Sequence, residues 1–239
     1  MDSRYARQIQ IRQIGSEGQK KLARASVLVA GAGGLGSPAL TYLAAAGVGR
    51  LGIIDSDTVA LSNLNRQFLH YKKDIGRYKT DSAGEKLAGL NDEIEIIART
   101  EHITDLNAHT FLAGYDAVLG AVDSFATRSV INRACCSLRI PYIDGGINGF
   151  SGCVMFSYPP DTPCLNCVFP ETAAKNEAPP GVLGATAGVI GSMQAGIAIQ
   201  WLLGLPNPLT RKLALYDGLR MSIDLIDIQR DAACPVCSR

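Results

Sequence analysis

Four cysteines stand as two widely separated pairs, Cys164-x-x-Cys167 and Cys234-x-x-Cys237, in a chain that also carries the glycine-rich turn Gly31-Ala-Gly-Gly-Leu-Gly36. Two C-x-x-C elements offer the four soft thiolate ligands of a closed tetrahedral zinc site, provided that the fold closes the long gap between them. Redox thiols and simple packing are the alternatives that spacing leaves open. Both pairs lie beside proline, as Pro163-Cys164 and Cys234-Pro235, and neither opens a helix after a strand as a redox motif would. Cys135 and Cys136 fall in a segment of helical spacing and Cys153 in a strand-like run, and all three are read as packing residues. Seven cysteines, an odd number, with no secretion signal favour reduced thiols over disulfides.

The glycine turn adds a second chemistry. Gly31, Gly33 and Gly36 satisfy G-x-G-x-x-G, in which glycines let the backbone approach phosphate oxygens while a following helix offers free N–H groups. Asp55 ends the next apolar run, where an acid can accept from ribose hydroxyls. Taken alone, the pattern fits NAD as well as ATP, or glycines that only allow tight strand-to-helix packing. The segment DSDTVALSNLNRQFLH then places Asp55, Asp57, Asn63, Arg66 and Gln67 just past that strand. Open α/β sheets bind ligands at this edge, and Arg66 supplies a planar guanidinium for phosphate with Asn63 as a neutral donor. The plain alternative is a solvated loop.

Short apolar strands must position these groups. SVLVA, LGIID and DAVLGA suit the buried middle of a parallel sheet. Between the first two, Ser37 and Pro38 open a helix through LTYLAAAGVG, completing a βαβ unit. From Pro141 the pattern changes: YIDGG and GCVMFSY read as strands, VIGSMQAGIAIQWLLG as a buried helix, and KLALYDG with MSIDLIDIQR as a closing hairpin. SVINRACCSLRI has helical spacing, whereas PETAAKNEAPPG reads as a crossover loop. The expected fold class is α/β: a Rossmann-like, mostly parallel sheet extended by antiparallel C-terminal strands. Its 239 residues form one domain, with a nucleotide-binding half of about 1–140 and a half of about 141–239 that holds the thiol pairs and the partner surface.

Composition narrows the partners. At 47% hydrophobic residues the chain can bury a large core, and a net charge of +1 without a long basic run argues against nucleic acid. The polar start MDSRYARQIQIRQIG lacks the apolar core of a secretion signal, and later apolar stretches are interrupted, so no membrane partner and a cytoplasmic location are expected.

RYARQ at positions 4–8, GAGGLG, DSDTVALSNLNRQ, Lys79, AVDSFATR and both thiol pairs together resemble the ThiF/MoeB/HesA family, relatives of the ubiquitin-activating enzymes, from Arg4 to Cys237. The resemblance implies an adenylyltransferase. Its substrate would be the C-terminal glycine carboxylate of a small ubiquitin-like sulfur carrier of ThiS or MoaD type ending in Gly-Gly, and it would use Mg-ATP and release pyrophosphate. It implies nucleotide contacts from Gly31, Gly33, Gly34, Asp55, Asp57, Ser62, Asn63, Arg66, Lys79, Asp123 and Ser124. Asp123 would hold magnesium, and the four paired cysteines a structural zinc. Arg66, Lys79, Asp123 and Arg7 would be the catalytic set, with Arg7 reaching the ATP of the neighbouring subunit in a homodimer. By themselves, Lys79 and Arg7 read equally well as surface cations, and Asp123 as an N-cap of the following helix.

The chemistry agrees with this set. A carboxylate attacking an α-phosphate meets negative oxygens, so cations must neutralise the charge, and a terminal carboxylate already ionised at neutral pH needs no base. One departure concerns the crossover loop, where some family members carry a cysteine that engages the activated carrier and this chain places Glu177. An acyl-adenylate without a covalent acyl-enzyme link is therefore expected. Sulfur would come from a separate donor of cysteine desulfurase or rhodanese type, since the chain stops just after Cys237. Adenylation of a peptide C-terminus and a non-catalytic carrier-binding scaffold are the alternative functions. Retention of Arg66, Lys79 and Asp123 together argues against the scaffold.

Overall fold

The computed structural model describes residues 4–171 and 180–238. Glu177 and the expectation attached to it lie outside the described residues.

One eight-stranded sheet runs through the chain in the order β3-β2-β1-β4-β5-β6-β7-β8. Strands β1 (Ser26–Ala30), β2 (Arg50–Ile54), β3 (Glu95–Arg99), β4 (Ala117–Gly120) and β5 (Tyr142–Asn148) are parallel. β6 (Ser151–Ser157), β7 (Lys212–Asp217) and β8 (Ser222–Asp227) continue it antiparallel. The mixed α/β sheet expected from the strand patterns is thus present, including the closing hairpin. β3, with three of its five residues exposed, was not evident as an apolar run because an edge strand need not be buried on both faces.

Every residue of β1 is buried, and successive side chains enter opposite layers. Val27 and Val29 join one core with Leu22 of α2 (Gly15–Arg24), Leu40 and Leu43 of α3 (Gly36–Ala46), Leu87 of α4 (Lys79–Leu90) and Ile190 and Ile197 of α8 (Gly184–Leu203). Leu28 and Ala30 join the other with Leu112 of α5 (Ala108–Leu112) and Ile131 of α6 (Phe125–Leu138). Full burial of each such Leu or Ile is worth about 1.5–3 kcal/mol, so the strand ends that carry the site rest on a firm support. α8 is long and apolar enough to cross a membrane by composition alone. Its apolar character has a local reason, since Ile190, Ala195 and Ala198 are buried within the first core.

Strands β2 and β3 lie on one side of β1 and β4 and β5 on the other, so the winding reverses between β1 and β4. Open sheets place ligands outside the carboxyl ends of strands at such a reversal. The turn after β1 carries Gly31 and the segment after β4 carries Asp123.

Candidate active site

A cavity of about 520 Å³ opens at this reversal. Its lining includes Gly31, Gly33, Gly34, Asp55, Asp57, Arg66, Lys79, Asp123 and Ser124, which gathers most of the residues singled out from the sequence.

The turn after β1 is shaped by two glycines. Gly31 has φ +102°, and a Cβ there would stand 2.5 Å from the Ala121 carbonyl oxygen; a Cβ on Gly36 would meet the Gly31 oxygen at 2.0 Å. Side chains are therefore excluded and the backbone folds tightly onto β4. Gly33 and Gly34 instead present only moderate contacts to an added Cβ and line the cavity.

Both neighbours of this turn are clamped. The Ala32 N–H donates to Asp55 Oδ2 at 2.8 Å, and Asp55 Oδ1 accepts from the Asp57 N–H at 2.8 Å. From behind, buried His70 bonds the Ala32 carbonyl through Nε2 at 2.8 Å and Ser82 Oγ through Nδ1 at 2.9 Å. Burial lowers the pKa of His70. A neutral ring with the proton on Nε2 satisfies both partners, because a carbonyl only accepts.

Lys79 is the first residue of α4, and its Nζ donates to Asp57 Oδ2 at 2.7 Å. The Arg66 guanidinium donates from Nη1 to the Ser62 carbonyl and to Asn65 Oδ1, both at 2.9 Å. The N-cap of α6 is Ser124, whose Oγ accepts from the Thr127 N–H at 3.4 Å. Asp123 is not consumed by capping and stands exposed on the cavity. The cavity therefore combines a backbone turn suited to phosphate with the cations Arg66 and Lys79, among others, and a free carboxylate able to hold a divalent ion.

Three residues from the sequence reading are placed elsewhere. Ser62 and Asn63 lie in a 3-10 turn and are not among the lining residues. The Asn63 amide oxygen accepts from the Ala60 N–H at 3.1 Å, while its carbonyl accepts from the N–H groups of Arg66 and Gln67 at 3.1 and 3.0 Å. In this arrangement Asn63 sets the position of its neighbours. Arg7 is exposed on α1 (Ala6–Ile9), away from this chain's cavity lining.

The structure adds Arg128, which the sequence left without a role, and gives a cavity position to Gln67, which the sequence placed only in its segment. Gln67 and Arg128 line the cavity together with Gly145 and Gly146. Arg128 donates through Nε to Oδ1 of buried Asp144 at 2.9 Å and through Nη2 to Oδ2, and the Tyr142 hydroxyl donates to Asp144 Oδ1 at 2.7 Å. Burial works against the charge on Arg128, but the adjoining carboxylate outweighs it and raises its pKa. The signals were present, as Gln67 directly follows Arg66 and Arg128 closes the AVDSFATR run, yet neither residue type announces which way it points.

The two thiol pairs meet at a second location. Cys164, Cys167, Cys234 and Cys237 have sulfurs within 4.8 Å of one another and form no disulfide. The Cys164–Cys167, Cys164–Cys234 and Cys167–Cys237 separations are 3.8, 3.7 and 3.5 Å. A tetrahedron with metal–sulfur bonds of about 2.3 Å puts its sulfurs about 3.8 Å apart, so these three separations are compatible with a zinc ion held by the four thiols. Of the other cysteines, Cys135 is buried in the second core and Cys153 is partly buried against it, while partly buried Cys136 packs against the four-cysteine cluster.

Comparison with known proteins agrees with this geometry. A sulfur carrier protein adenylyltransferase of Thermus thermophilus is 41% identical over 243 residues, covering 98% of this chain and 90% of that protein. The sulfur carrier protein ThiS adenylyltransferase of Escherichia coli K12 is 40% identical over 237 residues, covering 98% and 94%. A crystal structure of E. coli MccB, 24% identical, superimposes with a TM-score of 0.87 over 99% of this chain and 72% of that one, a likeness of fold. Since the model of the ThiF family matches residues 5–236, nearly the full length, the chain belongs to the ThiF family.

Proposed function

We propose that the protein adenylates the C-terminal glycine carboxylate of a small ubiquitin-like sulfur-carrier protein, consuming ATP and releasing pyrophosphate. The observation that carries this reading is the convergence of the Gly31–Gly36 turn, Arg66, Lys79 and Asp123 on one cavity at the sheet's winding reversal. The names of the T. thermophilus and E. coli relatives support the carrier as substrate.

In this reading the carrier carboxylate attacks the α-phosphorus, the bond to the β-phosphate oxygen breaks, and an acyl-adenylate and pyrophosphate result. Gly33 and Gly34 let the backbone approach the phosphates, and Asp55 serves the ribose beside the turn it braces. Arg66 and Lys79 neutralise the oxygens that crowd the attacked phosphorus. Asp123, with Ser124 and Asp57 nearby in the lining, would hold magnesium, which supplies further charge neutralisation on the phosphates. Most of the catalysis then lies in positioning and electrostatics. Ser62 and Asn63 act by setting the place of Arg66. Arg7, exposed and outside the lining, would reach the cavity of a second subunit in a homodimer.

The four cysteines would hold a structural zinc tying the segment after β6 to the C-terminus, with no part in adenylation. The protein would work in the cytoplasm beside a separate sulfur donor of cysteine desulfurase or rhodanese type.

ATP–pyrophosphate exchange with a panel of small carriers ending in Gly-Gly, with and without magnesium, tests the reading. Exchange that requires a carrier and falls sharply in Asp123→Ala is the expected result, and the carrier that works names the pathway. ATP binding without exchange for any carrier would overturn it.

A further inference from the structure

Gln67 carries the site one step further. The residue is 4% exposed, it lines the cavity, and its Oε1 is a buried oxygen with no hydrogen-bond partner among the described residues. Its amide nitrogen lies 3.4 Å from where a Cβ on Gly33 would stand, which puts the side chain against the phosphate turn. The backbone on both sides is fixed, because the Gln67 N–H donates to the Asn63 carbonyl at 3.0 Å and its own carbonyl accepts from the His70 N–H at 3.0 Å.

A buried acceptor left without a donor costs about 1–3 kcal/mol. Turning the amide over would only exchange one stranded pole for the other, since the carboxamide always presents an acceptor and two donors. Such a group calls for an explanation, and a donor brought by a bound molecule is the one that its place on the cavity favours. The phosphates of ATP carry no donor at neutral pH, so among the reactants only an N–H or O–H group can satisfy Oε1.

We propose that Gln67 is a ligand-binding residue whose side-chain oxygen accepts a hydrogen bond from a bound reactant beside the phosphate turn. This rests on the adenylation reading. Two sources carry the required donor: the hydroxyl and amine groups of the nucleoside, and the peptide N–H of the carrier's last residue.

The test is Gln67→Met, which keeps the length of the side chain and removes its polar end. Its thermal midpoint without ligand stays level or rises, because a stranded acceptor has been deleted. Calorimetric titration with ATP alone reads the first source, and the carrier KM in pyrophosphate exchange reads the second. A weakening of about tenfold in one arm assigns the donor to that reactant. Unchanged constants in both arms, or a drop in the ligand-free midpoint with binding intact, would overturn the proposal and make Gln67 a packing residue. Should the variant fail to fold, the side-chain amide resonances of Gln67 in the native protein give the same answer: they shift on addition of ATP or carrier, and the idea is lost if both leave them in place. Calorimetry reads Gln67 even if no carrier supports exchange, so failure of the carrier assignment is distinguishable from failure here.

Discussion

Lys79 Nζ lies 2.7 Å from Asp57 Oδ2, joining a cation only 6% exposed to an acid 64% exposed. A second bond, from the Lys79 N–H to the Asp57 carbonyl at 2.9 Å, ties the start of α4 to the segment after β2. A buried ammonium needs a partner, and Asp57 supplies one that faces the cavity. Lys79→Ala is expected to lower carrier-dependent exchange by about a hundredfold, the scale of losing one preorganised charge contact, and Asp57→Ala by less. Equal activity of Lys79→Ala and native protein would remove Lys79 from the site.

Asp123 stands exposed in the cavity while Ser124 caps α6. Asp123→Ala should therefore leave the thermal midpoint unchanged while exchange falls on the order of a hundredfold and its magnesium dependence flattens. Mixing it with Arg7→Ala should recover part of the activity through hybrid dimers. No recovery would place both residues within one chain's site.

The four-cysteine cluster predicts one zinc per chain by elemental analysis. Cys237→Ser should lose most of that metal and a large part of the stability, since metal binding at a closed site is linked to folding. Metal-free protein with an unchanged midpoint would contradict a structural role.

Asp144 is 1% exposed by its side chain and shares its carboxylate between Arg128 and the Tyr142 hydroxyl. Asp144→Ala strands a guanidinium only 15% exposed and should cost up to about 3–5 kcal/mol in urea unfolding. A loss under about 1 kcal/mol would mean that solvent reaches Arg128 freely.

Acid should destabilise the protein in two stages. His70 is held below its usual pKa by burial, so its contribution is complete above about pH 6.5 and is lost as the pH falls through the folded value. Burial pushes the Asp74 carboxyl up, but Lys86, the Tyr71 N–H and Arg77 outweigh that effect and hold it well below the carboxylate range. Its contribution is complete above about pH 4 and fades below that. Asp74→Asn should thus cost far more stability at pH 7 than at pH 2, as read by urea unfolding. A pH-independent loss would show that Asp74 acts through shape alone.

By itself the sequence determined what local rules govern. The turn after β1 was legible because Gly31 and Gly36 stand where side chains meet backbone, and β1, β2 and β4 were legible because strands buried on both faces are apolar over most of their length. Only the tertiary structure decided direction and meeting. Whether Asp123 or Ser124 caps α6 turns on backbone angles that one residue step reverses, and Ser62 and Asn63 belong to the right segment yet do not line the cavity. Cys164 and Cys234 touch across 70 residues, and Arg128 finds Asp144 on a neighbouring strand, contacts that depend on how the sheet and its helices pack. Gln67 reads as one more polar loop residue until the fold surrounds it and leaves its oxygen without a donor, because burial is a property of the whole assembly of elements and not of any segment.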